Sequence, residues 1–577
     1  MAHDPLRTRP HWQQAAFGFC ILAVIILVPV LVPVMAPYAP APAGATVHVK
    51  ILAVNDFHGQ LPPGQTFNKR PAGGAPVLAS YLKAAMADAG QAPVFIALPG
   101  DIVGASPPES GLLLDEPAML FWNTFANPSC TWGGVSSCST CNMVATLGNH
   151  EFDKGTAELM RKINGGNRAT AITHLVDPYP GAKATYVCAN VVWKTNSTPI
   201  VAPYVIRDAG GAKVAFIGAD TVKTTSLEMP EHVADVVFLD EAESVNRYVS
   251  AVQKEGVHAI VVLLHEGGTQ DAYDGATRET ENVTGRVTEI IAGLDPDVDV
   301  VLSGHTHAFT NAYLPNAGGK PVLVTQAYSY SRAFAVIDLA IDPVAGEITG
   351  KTAGIIPTYA DEPPGTTPDP ATAALLLEAE HAVAPLTDRV IAVAATDITG
   401  SETAAGESAL GDLVADGQRA AMRSDVAFVT TGSLRAEIAQ GNVTWGDLYA
   451  VQPFSSTVLS MTLSGEQVQS VLEQQWQDPL PPHNLAVAGL SYTFDGSRPA
   501  GSRVFDTRVN GAPLDRNAKY TAAMVDYLAS GGDGYTVFTR GTDVVNGPVD
   551  VDALVTYMGS LPQPVNPAAG GRIVKVG

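Results

Sequence analysis

The chain has 577 residues, 46% apolar and 16% charged, more than one hydrophobic core usually organises and too apolar for disorder to be the default. Its 34 basic against 57 acidic residues leave a formal charge of -23 at pH 7. That balance argues against a nucleic-acid polymer as partner, because phosphate backbones need clustered Lys and Arg, and a phosphate-bearing substrate would need metal ions to supply positive charge locally.

Residues 1–45 read as an export segment. Arg7 and Arg9 precede a hydrophobic stretch from Ala15 to Met35, and Ala41-Pro42-Ala43 offers a cleavage site. The stretch is longer than an ordinary signal core and is interrupted by Pro29 and Pro33, so a retained single membrane anchor is the alternative. Either outcome places the remainder outside the cytoplasm: secreted, periplasmic or at the cell surface.

Next, β-branched runs alternate with helical patterns, the mark of a layered α/β protein with mixed sheets. HVKILAV (His48 to Val54), VFIAL (Val94 to Leu98), MVATL (Met143 to Leu147), AIVVLL (Ala259 to Leu264) and DVVLS (Asp299 to Ser303) predict strands. APVLASYLKAAMADAG and EAESVNRYVSAVQKEG predict helices between them. Each strand runs into a short polar signature: NDFHG at Asn55 to Gly59, Gly100-Asp101, GNHEFD at Gly148 to Asp153, His265-Glu266, and GHTH at Gly304 to His307. Turns at strand ends converge on one sheet edge, which is where sites assemble in such folds.

Cys130, Cys138, Cys141 and Cys188 are an even count in an exported chain, so two disulfides are expected, with three possible connectivities. They would staple the insertion before GNHEFD and could shape access to the metals. YADEPPGTTPDP, from Tyr359 to Pro370, reads as a linker, and ATAALLLEAEHAVAPL as a connecting helix. The expected domains are therefore 46–358, a linker and helix over 359–389, and a second α/β domain over 390–577.

The signatures hold the ligand types of a dinuclear hydrolytic site. Carboxylates suit hard divalent ions and imidazoles suit first-row metals, so two divalent ions are expected, from zinc, manganese, cobalt, iron or calcium and magnesium mixtures. Asp56, His58 and His307 would hold one; Asn149, His265 and His305 the other; Asp101 would bridge them. His150 would act on developing charge at the leaving group, with Asp153 three residues on fixing its tautomer. His48, His174, His232, His258, His381 and His483 are read as ordinary surface or core residues.

The order NDFHG, GD, GNHEFD, H, GHTH resembles the calcineurin-like metallophosphatases. With TTGSLR at Thr430 to Arg435, GNVTWGDLYAVQPF at Gly441 to Phe454 and YLASGGDGY at Tyr527 to Tyr535, the chain is similar to the 5'-nucleotidase family. That resemblance implies an N-terminal β-sandwich flanked by helices, and a C-terminal α/β domain that grips a nucleotide and rotates on the helical linker. It also implies that Phe454 and Tyr527 sandwich the base, that Asp533 accepts from ribose hydroxyls, and that Arg435 approaches ribose or phosphate. The implied reaction is direct hydrolysis of nucleoside 5'-monophosphates by a metal-bridging hydroxide. Relatives often carry Asn where this chain has Thr430, Gly at Thr431 and Arg at Gly406. Those departures keep 2',3'-cyclic nucleotides and UDP-sugars open as substrates. A non-catalytic surface binding protein is the remaining alternative.

Overall fold

The computed structural model describes residues 44–135, 137–168, 174–279, 282–476 and 482–576. The expected export segment lies outside the described residues, Gly44 and Ala45 apart. Among the described residues no helix is long and apolar enough to cross a membrane.

The N-terminal part is a sandwich of two six-stranded mixed sheets. In the first, the order is Glu347–Pro357, Ala333–Asp342, Val47–Ala53, Val94–Pro99, Met143–Thr146, Thr185–Tyr186; in the second, Phe309–Pro315, Pro321–Ala327, Val298–Ser303, Ile260–His265, Lys213–Asp220, Tyr204–Asp208. Ile51, Phe95, Val144, Phe216, Val261, Leu263, Leu302 and Ile337 fill the space between them. Helices cover the outer faces, so Ile260–His265 and Val298–Ser303 are buried along their whole length and are mostly apolar, with the buried Asp299 as the internal exception. Val47–Ala53, Val94–Pro99 and Met143–Thr146 run parallel to one another, as do Lys213–Asp220, Ile260–His265 and Val298–Ser303. The polar signatures therefore leave each sheet at a common edge.

The connecting segment is fastened to the N-terminal part. Arg70 reaches Asp361 at 2.5 Å and Glu362 at 2.7 Å, its guanidinium lies over Tyr359, and Lys83 pairs with Asp369. Asp369 caps the helix Pro370–Thr387, whose Ala379 and Val383 pack on Leu113. Beyond that helix, Val390–Ala394 pairs with Gly441–Thr444. The C-terminal part has a five-stranded sheet ordered Leu485–Ala488, Val426–Thr430, Lys519–Val525, Thr457–Ser464, Thr542–Val549. The helix Ala409–Met422, capped by Ser408, covers it.

Two disulfides were expected, and among the described residues one forms, between Cys130 and Cys141. Cys188 is buried in the cluster that also holds Phe121, Trp122 and Leu159, with its thiol on Asn190 Oδ1 at 3.4 Å, and burial pushes that thiol up to about 12. Cys138 is exposed, 3.2 Å from Thr140 Oγ1. The bridged loop enters the strand Met143–Thr146 at its start, whereas GNHEFD leaves at its end. The insertion therefore does not border the signatures, contrary to expectation, and none of its residues lines the cavity described below.

Candidate active site

Asp56, His58, Asp101, His305 and His307 all have left-handed backbone, with φ of 50°, 49°, 48°, 75° and 55°. Non-glycine residues rarely adopt this region, and such strain clusters where surrounding structure over-determines a functional turn. Here hydrogen bonds between turns hold four of the five. Asp56 N–H donates to Gly100 O, His58 N–H to Asp101 O at 2.9 Å, and Tyr330 N–H to Asp56 O at 2.8 Å. The His305 N–H donates to the Asp56 carboxylate at 3.0 Å, which ties the two sheets' turns together.

The turns bring all seven predicted ligands into one place. Asp56, His58 and His307 form one cluster, and Asp101, His265 and His305 a second. His307 Nε2 lies 3.4 Å from Asp56 Oδ1 and 3.1 Å from His58 Nε2. Asn149 Oδ1 lies 3.3 Å from His265 Nε2 and 3.1 Å from His305 Nδ1. Asp101 Oδ2 stands between the clusters, 3.1 Å from His265 Nε2 and 3.7 Å from His58 Nε2. Donors around an ion with bonds of about 2.1 Å stand roughly 3.0–3.4 Å apart, so this spacing suits a metal.

Protonation also fits. Burial holds the His58 imidazole well below its ordinary value despite Asp101, so it is neutral. Its Nδ1–H donates to Gly104 O at 2.9 Å, which leaves a bare Nε2 facing the Asp101 carboxylate. Two electron-rich atoms facing each other in a buried site call for a cation between them. Burial disfavours charge on Asp101, but His265, His150 and His58 outweigh it and hold the carboxyl well below the usual range. Burial also opposes charge on His265, yet Asp101 raises its proton affinity well above normal, marking a place where positive charge is stabilised. His265 Nδ1 is turned to Pro99 O at 3.0 Å, which aims Nε2 at the site. The donor set therefore fits divalent metal ions.

His150 Nδ1 lies 2.8 Å from Asp153 Oδ1, as the spacing predicts. Asp153 Oδ2 also accepts from Ala105 N–H at 3.1 Å. Burial opposes charge on His150, but Asp153 and Asp101 prevail and raise its proton affinity. Gly104, with φ of 79°, packs beneath this pair: a Cβ there would lie 2.5 Å from His150 O and 2.6 Å from Asp153 Oδ2.

Two buried carboxylates escape the motif reading. Glu151 accepts from Gly148, Asp101 and Ile102 N–H groups at 2.6, 2.9 and 2.8 Å, fastening two signatures together, and burial with nearby Asp101 pushes its carboxyl up to about 7. Its place three residues after Gly148 is the spacing of a helix cap, a signal present in the sequence. Glu228 bonds both Asp153 and Asn149 and clusters with His150. A carboxylate that takes the Asn149 amide N–H leaves Oδ1 for the metal side.

A cavity of about 810 Å³ joins this centre to the C-terminal part. Asp101, Asn149, His150, His305 and His307 line one side; Arg435, Phe454, Tyr527 and Asp533 line the other. Phe454 stacks on the His150 ring, centroids 5.8 Å apart at 20°. The Tyr527 hydroxyl donates to Asp533 Oδ1 at 2.8 Å, and Thr430 Oγ1 donates to Asp533 Oδ2 at 2.6 Å. Arg435 Nη1 donates to Gly432 O at 3.5 Å, Nε and Nη2 are buried without a hydrogen-bond partner among the described residues, and its charge is felt at His58 and His150. His232 and His483, read from sequence as ordinary residues, also lie on the wall.

Residues 49–309 match the family model of the calcineurin-like phosphoesterases, and residues 389–540 that of the 5'-nucleotidase C-terminal domain. The chain is 31% identical to "Endonuclease YhcR" of Bacillus subtilis over 91% of its own length, and spans 41% of that protein. It is 31% identical to "Cell wall protein Lmo0130" of Listeria monocytogenes, covering 89% of this chain and 67% of that one. Among solved structures it is similar to a 5'-nucleotidase precursor from Thermus thermophilus, with a TM-score of 0.73, 27% identity, and coverage of 92% of this chain and 99% of that one.

Proposed function

Because the chain belongs to the calcineurin-like phosphoesterases that carry a 5'-nucleotidase C-terminal domain, and is a phosphoric ester hydrolase, we propose that it releases phosphate from nucleoside 5'-monophosphates. The observation that carries this reading is the shared cavity, which sets the clusters of candidate ligands opposite two aromatic rings and a guanidinium with two donors left over.

In this reading Asp56, His58 and His307 would hold one divalent ion and Asn149, His265 and His305 a second, with Asp101 in reach of either cluster. When bound, the ions supply Lewis-acid charge for the phosphoryl oxygens and activate the attacking water. Arg435 takes a phosphoryl oxygen with its free donors. His150, with Nδ1 committed to Asp153, turns Nε2 to the leaving oxygen and delivers a proton as the ester bond breaks. Phe454 and Tyr527 hold the base by stacking.

A second reading, hydrolysis of 2',3'-cyclic nucleotides or UDP-sugars, is favoured by the far wall of the cavity. At Gly406 a side chain would meet Asn484, whose amide donates to Glu402 at 2.8 Å, so this wall offers a carboxylate where relatives place a cation. "Trifunctional nucleotide phosphoesterase protein YfkN" of Bacillus subtilis is a relative at 27% identity. Turnover of AMP, UMP, a 2',3'-cyclic nucleotide, UDP-glucose and single-stranded DNA, each with several divalent metals, separates the readings. Absence of monophosphate turnover beside strong diester turnover overturns the first.

An extracytoplasmic location accompanies this reading, supported by the Cys130–Cys141 bridge, which persists in oxidising compartments, and by the cell-wall name of one relative. Fractionation of expressing cells tests it, and N-terminal sequencing decides between cleavage and a retained anchor.

A further inference from the structure

Three side chains on the cavity wall carry buried polar atoms with no partner among the described residues: His232 Nδ1, Arg435 Nε and Nη2, and Gln452 Oε1. The Arg435 donors answer to phosphate. Gln452 has no such explanation, because its free atom is an acceptor and a phosphate ester offers only acceptors.

Gln452 closes the helix Trp445–Val451, its N–H on Leu448 O at 3.3 Å, two residues before Phe454. The Arg435 N–H donates to Val451 O at 2.9 Å, so Gln452 and Arg435 are neighbours through the main chain. Gln452 is only 2% exposed. A buried amide oxygen without a donor is costly, and native proteins seldom keep one unless a ligand or water completes it. A hydroxyl of the leaving group is a donor that would complete it and that the phosphate end of the substrate cannot supply.

The other acceptor suited to a sugar hydroxyl is Asp533, whose oxygens each accept one bond within the protein, from Thr430 and from Tyr527, whereas Gln452 Oε1 accepts none among the described residues. We propose that Gln452 is a specificity-determining residue whose amide oxygen accepts a hydrogen bond from a ribose hydroxyl of the leaving nucleoside, so that the protein prefers ribonucleotides to the matching deoxynucleotide. This rests on the nucleotide reading above.

The test compares kcat/KM of the full chain, loaded with divalent metal, on AMP, 2'-deoxy-AMP, 3'-deoxy-AMP and p-nitrophenyl phosphate, for wild type and Gln452→Leu. Wild type should lose about tenfold on one deoxy substrate, the loss expected when one buried hydrogen bond goes unmade. Gln452→Leu should bring AMP down to that deoxy substrate, and lower the ratio of AMP to p-nitrophenyl phosphate turnover by the same factor. Equal wild-type turnover of all three nucleotides overturns the proposal and needs no variant. So does a variant that keeps the AMP preference, with Gln452→Met standing in if the leucine variant fails to fold. Hydrolysis of p-nitrophenyl phosphate with no nucleotide turnover at all is a different result, and it removes the nucleotide reading itself.

Discussion

The imidazole of His150 lies face to face with the ring of Phe454, although one residue follows a strand of the N-terminal sheet and the other a helix of the C-terminal part. Lys154 fastens the same junction by donating to the Phe454 carbonyl at 2.9 Å. The ring assigned to the base thus backs, with its other face, on the group assigned to the leaving oxygen. Phe454→Ala is expected to raise KM for nucleoside monophosphates by about 5- to 100-fold, the worth of one base-stacking contact. An unchanged KM would remove Phe454 from substrate binding.

Among the described residues Asp101 is the carboxylate that shares a cluster with His58 and another with His265 and His305. Asp101→Ala should lower the metal bound per chain, measured by elemental analysis, and cut kcat by at least about a thousandfold, in the range that loss of electrostatic stabilisation produces. Chelation of the wild type should abolish turnover and divalent ions restore it. Near-normal turnover in Asp101→Ala sinks the two-metal arrangement.

Cys130 and Cys141 close a short loop at the edge of the sheet opposite the signatures. Cys130→Ser should destabilise the protein by about 3 kcal/mol through loop-closure entropy of the unfolded chain. Because that loop does not border the cavity, kcat/KM should stay unchanged at temperatures where the variant is folded. A matching drop in kcat/KM would place the insertion in the site after all.

Asp550 is 2% exposed on the cavity wall, and burial, with Asp526 adding to it, pushes its carboxyl from 3.8 up to about 7. The folded state therefore keeps a proton that the unfolded state releases. Its contribution to stability is fullest below pH 3.8 and is lost as pH rises to about 7. Asp550→Asn should leave stability unchanged at pH 4 and raise it at pH 8, by at most about 4 kcal/mol. Urea unfolding at the two pH values checks the sign; a variant less stable at pH 8 would refute it.

The strand-to-turn junctions are legible in the sequence because β-branched runs stop abruptly at Gly, Asp, Asn and His, a local signal. The pairing of Ala333–Asp342 with Val47–Ala53 is not, since partners from opposite ends of a domain leave no periodic trace. The seven residues proposed as ligands are legible for the same local reason as the strands. Glu228 is illegible, because a lone glutamate after the short helix Thr224–Leu227 acquires meaning only through contact with Asn149 and Asp153. Cys188 misleads as well: an even cysteine count suggests pairing, while its buried place beside Asn190 makes it an ordinary small core residue. The order of the C-terminal motifs points to Phe454 and Tyr527, but not to the Thr430 and Tyr527 hydroxyls that occupy Asp533.

The left-handed turns at Asp56, His58 and Asp101 are held by main-chain hydrogen bonds, and that at His305 by its N–H on the Asp56 carboxylate. Ion capture then needs no ordering of the chain, and the folded protein is a ready-made receptacle rather than one shaped by its cargo. Exchange of one ion for another becomes a question of supply and ligand preference, with the scaffold indifferent. Catalytic output in a given environment would follow whichever first-row metal that environment offers.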